Sequence, residues 1–331
     1  MSQEYLYKES ELFEKGVSEL IRIKKNTRPF YSQKALNYFG QRYKDEGAQI
    51  NDESFVMLQG DRYVAVFLGF RIHHKNNYKE IAANENPAIV LIDEKNISRK
   101  NEKKFVEKVY EIFTKEKCDV WYRDSNNDGS INELTKKLLQ SNKKFTCTYS
   151  KILYLENEYY LLRKKYRKSY SSLINWGYRE LEIDVLTSKN IKYEHIIAFR
   201  KLHIREAGRE TRSLKSWEKQ LIMIEADEAF IVQGKYKNEL VSASLFTMNK
   251  NYCYYQVSAS RRDLFDKPLN HALIDRAIKH AKDIQCKFID FGDLNNISNE
   301  KILTEKERNI SGFKDGFGGA IKLSLEYKGI V

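Results

Sequence analysis

The sequence is poor in cysteine, proline and glycine, with 4 Cys, 3 Pro and 15 Gly among 331 residues. The cysteines are far apart and form no Cys-x-x-Cys pair, so neither a zinc site nor a disulfide framework is predicted. Each lies in or beside a strand-like apolar run. We therefore expect buried free thiols at Cys118, Cys147, Cys253 and Cys286.

Long apolar runs are also missing. No stretch approaches the roughly 20 residues needed to cross a bilayer, and the N-terminal residues MSQEYLYKES show no signal-peptide pattern. We expect a cytoplasmic protein with no membrane span, at most peripheral to the inner face of a membrane. Nothing in the sequence indicates an oligomeric state.

Motifs for nucleophilic or metal chemistry are absent as well. No Gly-x-Ser-x-Gly elbow occurs, and the six histidines, which include the pair His73-His74, show no metal-ligand spacing with acidic residues. The sequence therefore predicts neither a serine hydrolase nor a metal site.

The residues that are abundant indicate a soluble protein with an anionic partner. Hydrophobic residues make up 41% of the chain and charged residues 31%, and the length suits two domains. The net charge of +12 fits a nucleic acid, a nucleotide-linked substrate or an anionic membrane surface. The high Lys and Asn content also arises in AT-rich genomes without a functional cause.

The apolar pattern predicts an α/β order that occurs twice. In the first half we expect helices over 9–25, 32–45, 101–117 and 131–140, and strands over 55–59, 63–72, 88–92, 118–122 and 145–155. In the second half we expect helices over 161–176, 193–207, 214–226 and 270–282, and strands over 181–186, 229–233, 240–248, 252–258, 288–291 and 320–327. The boundary is placed at 157/158, although no linker composition marks it.

The densest glycine cluster, Gly312-Phe-Lys-Asp-Gly-Phe-Gly-Gly319, precedes the last predicted strand. Clustered glycines indicate a backbone that takes positive φ or approaches another group closely. We expect Phe313 and Phe317 to anchor this loop, which leaves Lys314 available for another role. An ordinary turn before a last strand would carry the same glycines.

This stretch, Phe-Lys-x-x-Phe-Gly followed by a terminal strand, resembles the end of the second domain in the FemA/FemB/FemX aminoacyltransferases. The resemblance extends over residues 160–325 and is weaker over 1–157. It implies two tandem domains of the acetyltransferase (GNAT) fold, α/β with mixed, mainly antiparallel sheets. The first, degenerate domain spans 1–157 on the acceptor side, completed by the strand 320–331. The acyltransferase domain spans 158–319.

The resemblance also implies site residues. Lys314 lines the acyl-transfer site, with Phe313 and Tyr255 as further catalytic candidates and Tyr254 as the alternative, because alternation along a strand allows only one of the two tyrosines to face the site. His271 falls near the acyl site, where a core histidine is the competing interpretation.

Further basic residues match motifs that handle the substrates. In the Gly-x-x-x-Arg turn, Arg212 with Arg209 would grip acceptor phosphates through the bidentate guanidinium. Arg261, Arg262, Lys164 and Arg167 would bind the donor, although a solvated helix face explains the basic run 164–168 equally well. The first half departs from the family, since no Trp occurs in 34–44, and the acceptor's identity stays open.

Residues 124–132 match the first part of an EF-hand calcium loop, but Thr135 stands where the closing Glu is needed. We therefore favour an Asx-type turn that caps the next helix over calcium binding. Asp124 is also a candidate for the acceptor site.

The turn 260–268 lacks the glycines that cradle CoA pyrophosphate and carries Asp266 near the helix start. The resemblance then implies a cell-envelope N-acyltransferase with no tightly bound cofactor. Its donor is aminoacyl-tRNA, and its acceptor is an amine of a nucleotide- or lipid-linked amino sugar or peptide, in peptidoglycan or surface polysaccharide synthesis. One alternative is an acyl-CoA-dependent acyltransferase acting on an amino-sugar nucleotide. The other is a non-catalytic, basic RNA-binding or scaffold protein.

Overall fold

The computed structural model describes residues 3–24, 27–124, 130–294 and 303–331. The chain forms two compact units: Met1–Thr148 with Ser324–Val331, and Tyr149–Leu323. The division falls inside a strand, a few residues before the sequence-predicted boundary at 157/158. Within the described residues, no helix is long and apolar enough to cross a membrane.

Unit 1 contains four helices and eight strands in its described part, together with parts of two further strands. Its helices are α1 (Glu11–Ile23), α2 (Gln33–Asp45), α3 (Arg99–Thr114) and α4 (Glu133–Gln140). Its strands are β1 (Gln3–Tyr7), β2 (Gln49–Asp52), β3 (Phe55–Gln59), β4 (Arg62–Leu68), β5 (Phe70–His73), β6 (Lys79–Ala82), β7 (Ile89–Ile92) and β8 (Asp119–Arg123). The strand β9 (Phe145–Tyr154) begins in unit 1 and ends in unit 2.

Unit 2 continues from β9. Its helices are α5 (Tyr159–Lys164), α6 (Tyr170–Glu180), α7 (Tyr193–Ala207), α8 (Leu214–Glu225), α9 (Leu269–Asp283) and α10 (Glu305–Asp315). Its strands are β10 (Glu182–Leu186), β11 (Ala229–Tyr236), β12 (Glu239–Met248), β13 (Tyr252–Ser260) and β14 (Phe288–Asp293). The last strand, β15 (Ala320–Ile330), begins in unit 2 and ends in unit 1.

The two units share one order of elements. In unit 1, β1 is followed by two helices and then by the strands that complete the antiparallel set β1-β3-β4-β7; in unit 2, after α5 and α6, β10 is followed by two helices and then by the strands that complete the set β10-β11-β12-β13. A helix then leads to a strand that runs parallel to the last member of that set, with a single bridge, Ala88↔Tyr122, in unit 1 and the β13–β14 pair in unit 2. The sheets are mixed and mainly antiparallel, as the sequence predicts.

Two strands, β9 and β15, each begin in one unit and end in the other. The end of β9 pairs with β14, from Ser150↔Asp293 to Tyr154↔Phe288. The end of β15 pairs with β8, from Glu326↔Arg123 to Ile330↔Asp119. Unit 2 therefore uses the end of a strand that begins in unit 1, and unit 1 is completed by a strand that follows the whole of unit 2 in sequence.

Three local predictions are wrong. The basic helix predicted over 161–176 is two helices, α5 and α6, because Tyr166 folds into the core of unit 2 while the residues that follow it turn. The predicted glycine loop is helical up to Asp315, because a capping box between Thr304 and Glu307 starts α10. Cys147 is exposed, unlike the other three cysteines.

Candidate active site

The strands β13 and β14 separate at their ends. They pair over only three residues, from Tyr252↔Phe288 to Tyr254↔Asp290, although β13 continues to Ser260 and β14 to Asp293. An irregularity in the β12–β13 register at Phe246 bends β13 at the same level. Beyond Tyr254, no strand among the described residues pairs with the side of β13 that faces β14.

The buried carboxylate of Asp290 fixes the end of β14. The Tyr252 hydroxyl donates to Asp290 Oδ2 at 2.6 Å, and the Gly292 N–H donates to Asp290 Oδ1 at 2.7 Å. Gly292 has a φ of +81°, a left-handed conformation that favours glycine. Asp290 thus caps the turn at the end of β14.

Lys314 and Tyr254 converge on this turn. The Lys314 ammonium donates to the carbonyl oxygen of Asp293 at 3.1 Å. A Cβ added to Gly292 would lie 2.9 Å from Tyr254 Oη and 3.3 Å from Lys314 Nζ. Only glycine therefore leaves space for both polar groups, and together they line the point where the strands part.

Aromatic rings hold the C-terminal end of α10. Phe317 is fully buried, and Phe313 packs edge-on against it with 5.3 Å between the ring centroids. The Tyr170 hydroxyl donates to the Phe313 carbonyl at 2.9 Å. The two phenylalanines thus anchor the segment that carries Lys314, as the sequence predicts, although a helix and not a loop presents it.

His271 belongs to the same aromatic cluster. Its ring contacts Tyr170 and Phe313, with centroids 4.6 and 5.1 Å away. Burial lowers its pKa to about 4, and the charge of Arg167 also lowers it. At neutral pH the imidazole is uncharged and acts as a packing group beside the Lys314 segment.

A second lysine, Lys151 on β9, also contacts this segment. Its ammonium lies 2.7 Å from Asp315 Oδ1, and its side chain is 7% exposed. Sequence reasoning missed Lys151, because no motif surrounds it and its partner is distant in sequence. The only available signal was a lysine directly before the apolar run 152–155.

Tyr255 faces away from Tyr254. It stacks on Phe246, with centroids 5.3 Å apart, and packs against the apolar cluster beneath α9. Burial raises the pKa of its hydroxyl. The structure therefore brings Tyr254, and not Tyr255, to Lys314.

The predicted acceptor arginines lie in the turn between α7 and α8. Gly208 ends α7 in a left-handed conformation with a φ of +71°, and Arg209 is exposed beyond it. Arg212 is half-buried, and its Nη1 lies 3.1 Å from His203 Nε2. The His203 imidazole packs edge-on against the buried ring of Trp217. Trp217 therefore holds the histidine that contacts the Arg212 guanidinium.

Of the four predicted donor residues, Arg261 and Arg167 bond to other groups of the chain, whereas Arg262 and Lys164 extend from the surface. Arg261 is engaged by Glu239 and Asp263, and Arg262 is exposed. Lys164 is exposed, with its ammonium 5.3 Å from the ring centroid of Tyr160. Arg167 donates to the Gly312 carbonyl at 3.0 Å, which ties it to α10.

Asp124 is buried in unit 1 and supports the start of α4, where the Asn132 side chain is the N-cap and accepts from the Thr135 N–H. Its Oδ2 accepts from the Asn132 N–H at 3.0 Å and from the Thr135 hydroxyl at 2.6 Å. The helix cap favoured from the sequence is therefore supplied by Asn132, with Asp124 behind it. Most of the calcium-loop match, 125–129, lies outside the described residues, and the rest of the described chain shows no cluster of three or more metal-ligating side chains.

Comparison with known proteins gives a match in structure only. No protein-family model matches the sequence, and no curated protein is similar to it. Among solved structures, FemX superposes with a TM-score of 0.70 at 11% identity, covering 99% of this chain and 97% of that one. L-PGS from Bacillus licheniformis superposes with a TM-score of 0.56 at 12% identity, over 95% and 91% of the two chains.

A third similar structure is a tandem GNAT protein from the clavulanic acid biosynthesis pathway, with a TM-score of 0.50 at 10% identity over 99% of each chain. These likenesses extend over nearly the whole length of the chains. The predicted fold, a tandem GNAT architecture like that of FemX, is therefore confirmed.

Proposed function

We propose that the protein is an acyltransferase that moves an aminoacyl group from aminoacyl-tRNA to an amine. The acceptor is a nucleotide- or lipid-linked precursor of the cell envelope, an amino sugar or a peptide. The observation that carries the proposal is the convergence of Lys314 and Tyr254 on Gly292, where β13 and β14 separate. Fixed donors at such a point can stabilise an oxyanion.

The reaction is a direct aminolysis. The acceptor nitrogen attacks the ester carbonyl carbon, a C–N bond forms, and the C–O bond to the ribose breaks. The proton that the amine loses ends on the departing ribose oxygen. Lys314 supplies positive charge to the oxyanion or to that oxygen, and Tyr254 supplies a hydroxyl donor beside it. No covalent enzyme intermediate is required.

The residues around the reacting centre have supporting roles in this proposal. Phe313 and His271 hold the Lys314 segment by ring packing. Arg212, with Arg209 nearby, binds acceptor phosphates, and Arg262, Lys164 and Arg167 contact the donor. Charged tRNA would be met in the cytoplasm.

Three features favour a tRNA ester over a CoA thioester. The turn before α9 contains no glycine, and Arg261 within it is already engaged by two carboxylates. Asp266 precedes the helix and would repel a pyrophosphate. The similarity in fold to FemX and L-PGS is consistent with a donor derived from tRNA. The tandem GNAT neighbour, whose description mentions AcCoA, keeps the acyl-CoA enzyme as the second candidate.

The test is a product analysis by mass spectrometry. The protein is incubated with nucleotide-linked amino-sugar and peptide acceptors, together with either charged tRNA or acetyl-CoA. We expect an acceptor with an added aminoacyl mass in the tRNA arm. A product in the CoA arm alone would establish the second candidate. No product in either arm would support a non-catalytic scaffold.

Lys314→Met and Lys306→Met provide a matched pair, since both lysines lie on α10 and Lys306 is exposed near the helix start. Lys314→Met should lower the rate by a factor on the order of 10² or more, which is the usual loss of one oriented donor. Lys306→Met should leave it unchanged. Equal rates for the two variants would remove Lys314 from the reaction.

A further inference from the structure

The exposed side of α3 in unit 1 carries a concentration of lysines with no catalytic role in the proposal above. A shallow groove of about 680 Å³ runs along it. The groove is lined by Tyr5, Lys100, Lys103, Lys104, Glu107, Lys108 and Glu111. It lies in a different unit from Lys314 and Tyr254.

Lys100, Lys103 and Lys104 are exposed, and none of them forms an ion pair within the described residues. Lys100 and Lys104 are four residues apart, as are Lys104 and Lys108, so like charges lie one above the other on the helix. Such pairs disfavour the helix. The sequence therefore concentrates positive charge near the start of this side of α3.

One wall of the groove is aromatic. The Lys108 ammonium lies 4.5 Å from the ring centroid of Tyr5, 5.4 Å from that of Tyr7 and 5.2 Å from that of Phe55. These cation–π contacts hold Lys108 against the wall. Tyr7 is 46% exposed, and Tyr5 contributes to the groove lining.

The two carboxylates, Glu107 and Glu111, make the charge uneven along the groove. Glu107 pairs with Lys137, and Glu111 lies toward the C-terminal end of α3. The uncompensated positive charge is therefore at Lys100, Lys103 and Lys104. The helix from residue 100 to residue 108 covers about 12 Å, which is roughly the rise of three to four nucleotides in a stacked strand at about 3.4 Å each.

We infer that this groove binds a single strand of nucleic acid, with Lys100, Lys103 and Lys104 on successive phosphates and a base against Tyr5. Proteins that bind single strands combine a basic groove with an aromatic platform. An anionic membrane would need lysines on a flat or convex face with apolar side chains to insert. The groove is concave and its one aromatic lining residue is part of the wall. The inference does not rest on the acyltransferase activity.

The test is fluorescence anisotropy with a labelled 12-nucleotide oligouridylate, measured from 50 to 200 mM salt. The triple variant Lys100→Gln, Lys103→Gln, Lys104→Gln keeps good helix formers and removes three charges. We expect its affinity at 50 mM salt to fall about tenfold or more. The slope of log K against log salt should shrink by about 2, since each phosphate contact on a single strand contributes about 0.7.

The matched control is Lys189→Gln, Lys201→Gln, Lys215→Gln in unit 2, where all three lysines are exposed. It changes net charge equally and should keep wild-type affinity. An equal loss in both triple variants would overturn the inference, because binding would then follow net charge alone. Wild-type affinity in the α3 variant would overturn it as well.

Two further arms identify the ligand. Tyr5→Leu should weaken oligouridylate binding and leave binding of heparin, a polyanion without bases, unchanged. An equal loss for both probes would contradict the base contact. Phosphatidylglycerol vesicles are the membrane probe: if the α3 lysines are required for vesicle binding and the oligonucleotide is not bound, the surface is a membrane site and the inference fails.

Discussion

The ammonium of Lys151 lies 2.7 Å from Asp315 Oδ1, and Asp315 directly follows Lys314. The lysine is almost completely buried on β9, whereas the aspartate is 51% exposed at the end of α10. A buried cation held by one exposed carboxylate fixes the last turn of the helix relative to the sheet. The pair therefore sets the position from which Lys314 reaches the end of β14.

Lys151→Met should lower kcat about tenfold, because small displacements of a reacting group are costly. Stability should change little, because removing a buried charge together with its partner interaction is often nearly neutral. Asp315→Asn is the contrasting variant, which leaves Lys151 buried without a carboxylate and should lower the melting temperature more. The measurements are steady-state kinetics and thermal unfolding. Unchanged kcat in Lys151→Met would make the pair purely structural.

Gly292→Ala should impair both stability and rate. The φ of +81° strains any other residue, and the new Cβ would displace Tyr254 Oη or Lys314 Nζ. We expect a stability loss of about 1–3 kcal/mol and a large fall in kcat. Gly312→Ala is the control, since it lies within α10 with no atom within 4 Å of the added Cβ; it should raise stability by about 1 kcal/mol. Denaturant unfolding and turnover measure both, and wild-type turnover in Gly292→Ala would contradict the proposed site.

Arg212→Gln should raise the KM for a phosphate-bearing acceptor with little effect on kcat at saturation. A charged hydrogen bond contributes about 1.5–3 kcal/mol, which corresponds to a KM change of roughly tenfold or more. Because Arg212 also contacts His203, the melting temperature is recorded in parallel. Lys215→Gln, at an exposed position in the first turn of α8, serves as the control. A lower melting temperature with unchanged KM would assign Arg212 to the turn alone.

Stability should fall in mild acid because of His271. Its pKa is about 4 in the folded protein, below the usual value near 6.5. Between these values the unfolded chain binds a proton that the folded protein excludes, so the free energy of unfolding falls as pH falls, by up to about 1.4 kcal/mol per unit. His271→Phe preserves the ring packing and should reduce the difference between urea unfolding at pH 7 and pH 5. An identical pH dependence in the variant would refute this assignment.

Much of the fold could be predicted because many of its helices and strands have a clear apolar periodicity. The helices α7 and α8 and the meander β11–β13 lie close to where apolar periodicity predicts them. The short strands β1, β2 and β6 were missed because four or five residues give no clear period. The start of α10 was missed although Thr304 and Glu307 form a capping box, because the glycines that follow dominate the local pattern.

Individual residues of the site could be predicted from the sequence, but their positions relative to one another could not. Lys314 stands in a recognisable motif, whereas the choice between Tyr254 and Tyr255 depends on which face of β13 meets the turn at Gly292. Alternation alone does not fix that face. Lys151 depends on the pairing of β9 with β14, a long-range contact that local sequence does not encode.

The pairing of β15 with β8 has a consequence for synthesis on the ribosome. Unit 1 pairs β8 with residues 326–330, so it cannot close when residues 1–148 emerge. All of residues 149–323 must be translated first, which at about 5–20 residues per second takes on the order of 10–30 s. During that interval β8 presents an unpaired edge, and the N-terminal unit is the last to reach its native state. A premature stop just before residue 324 would therefore damage unit 1 rather than unit 2.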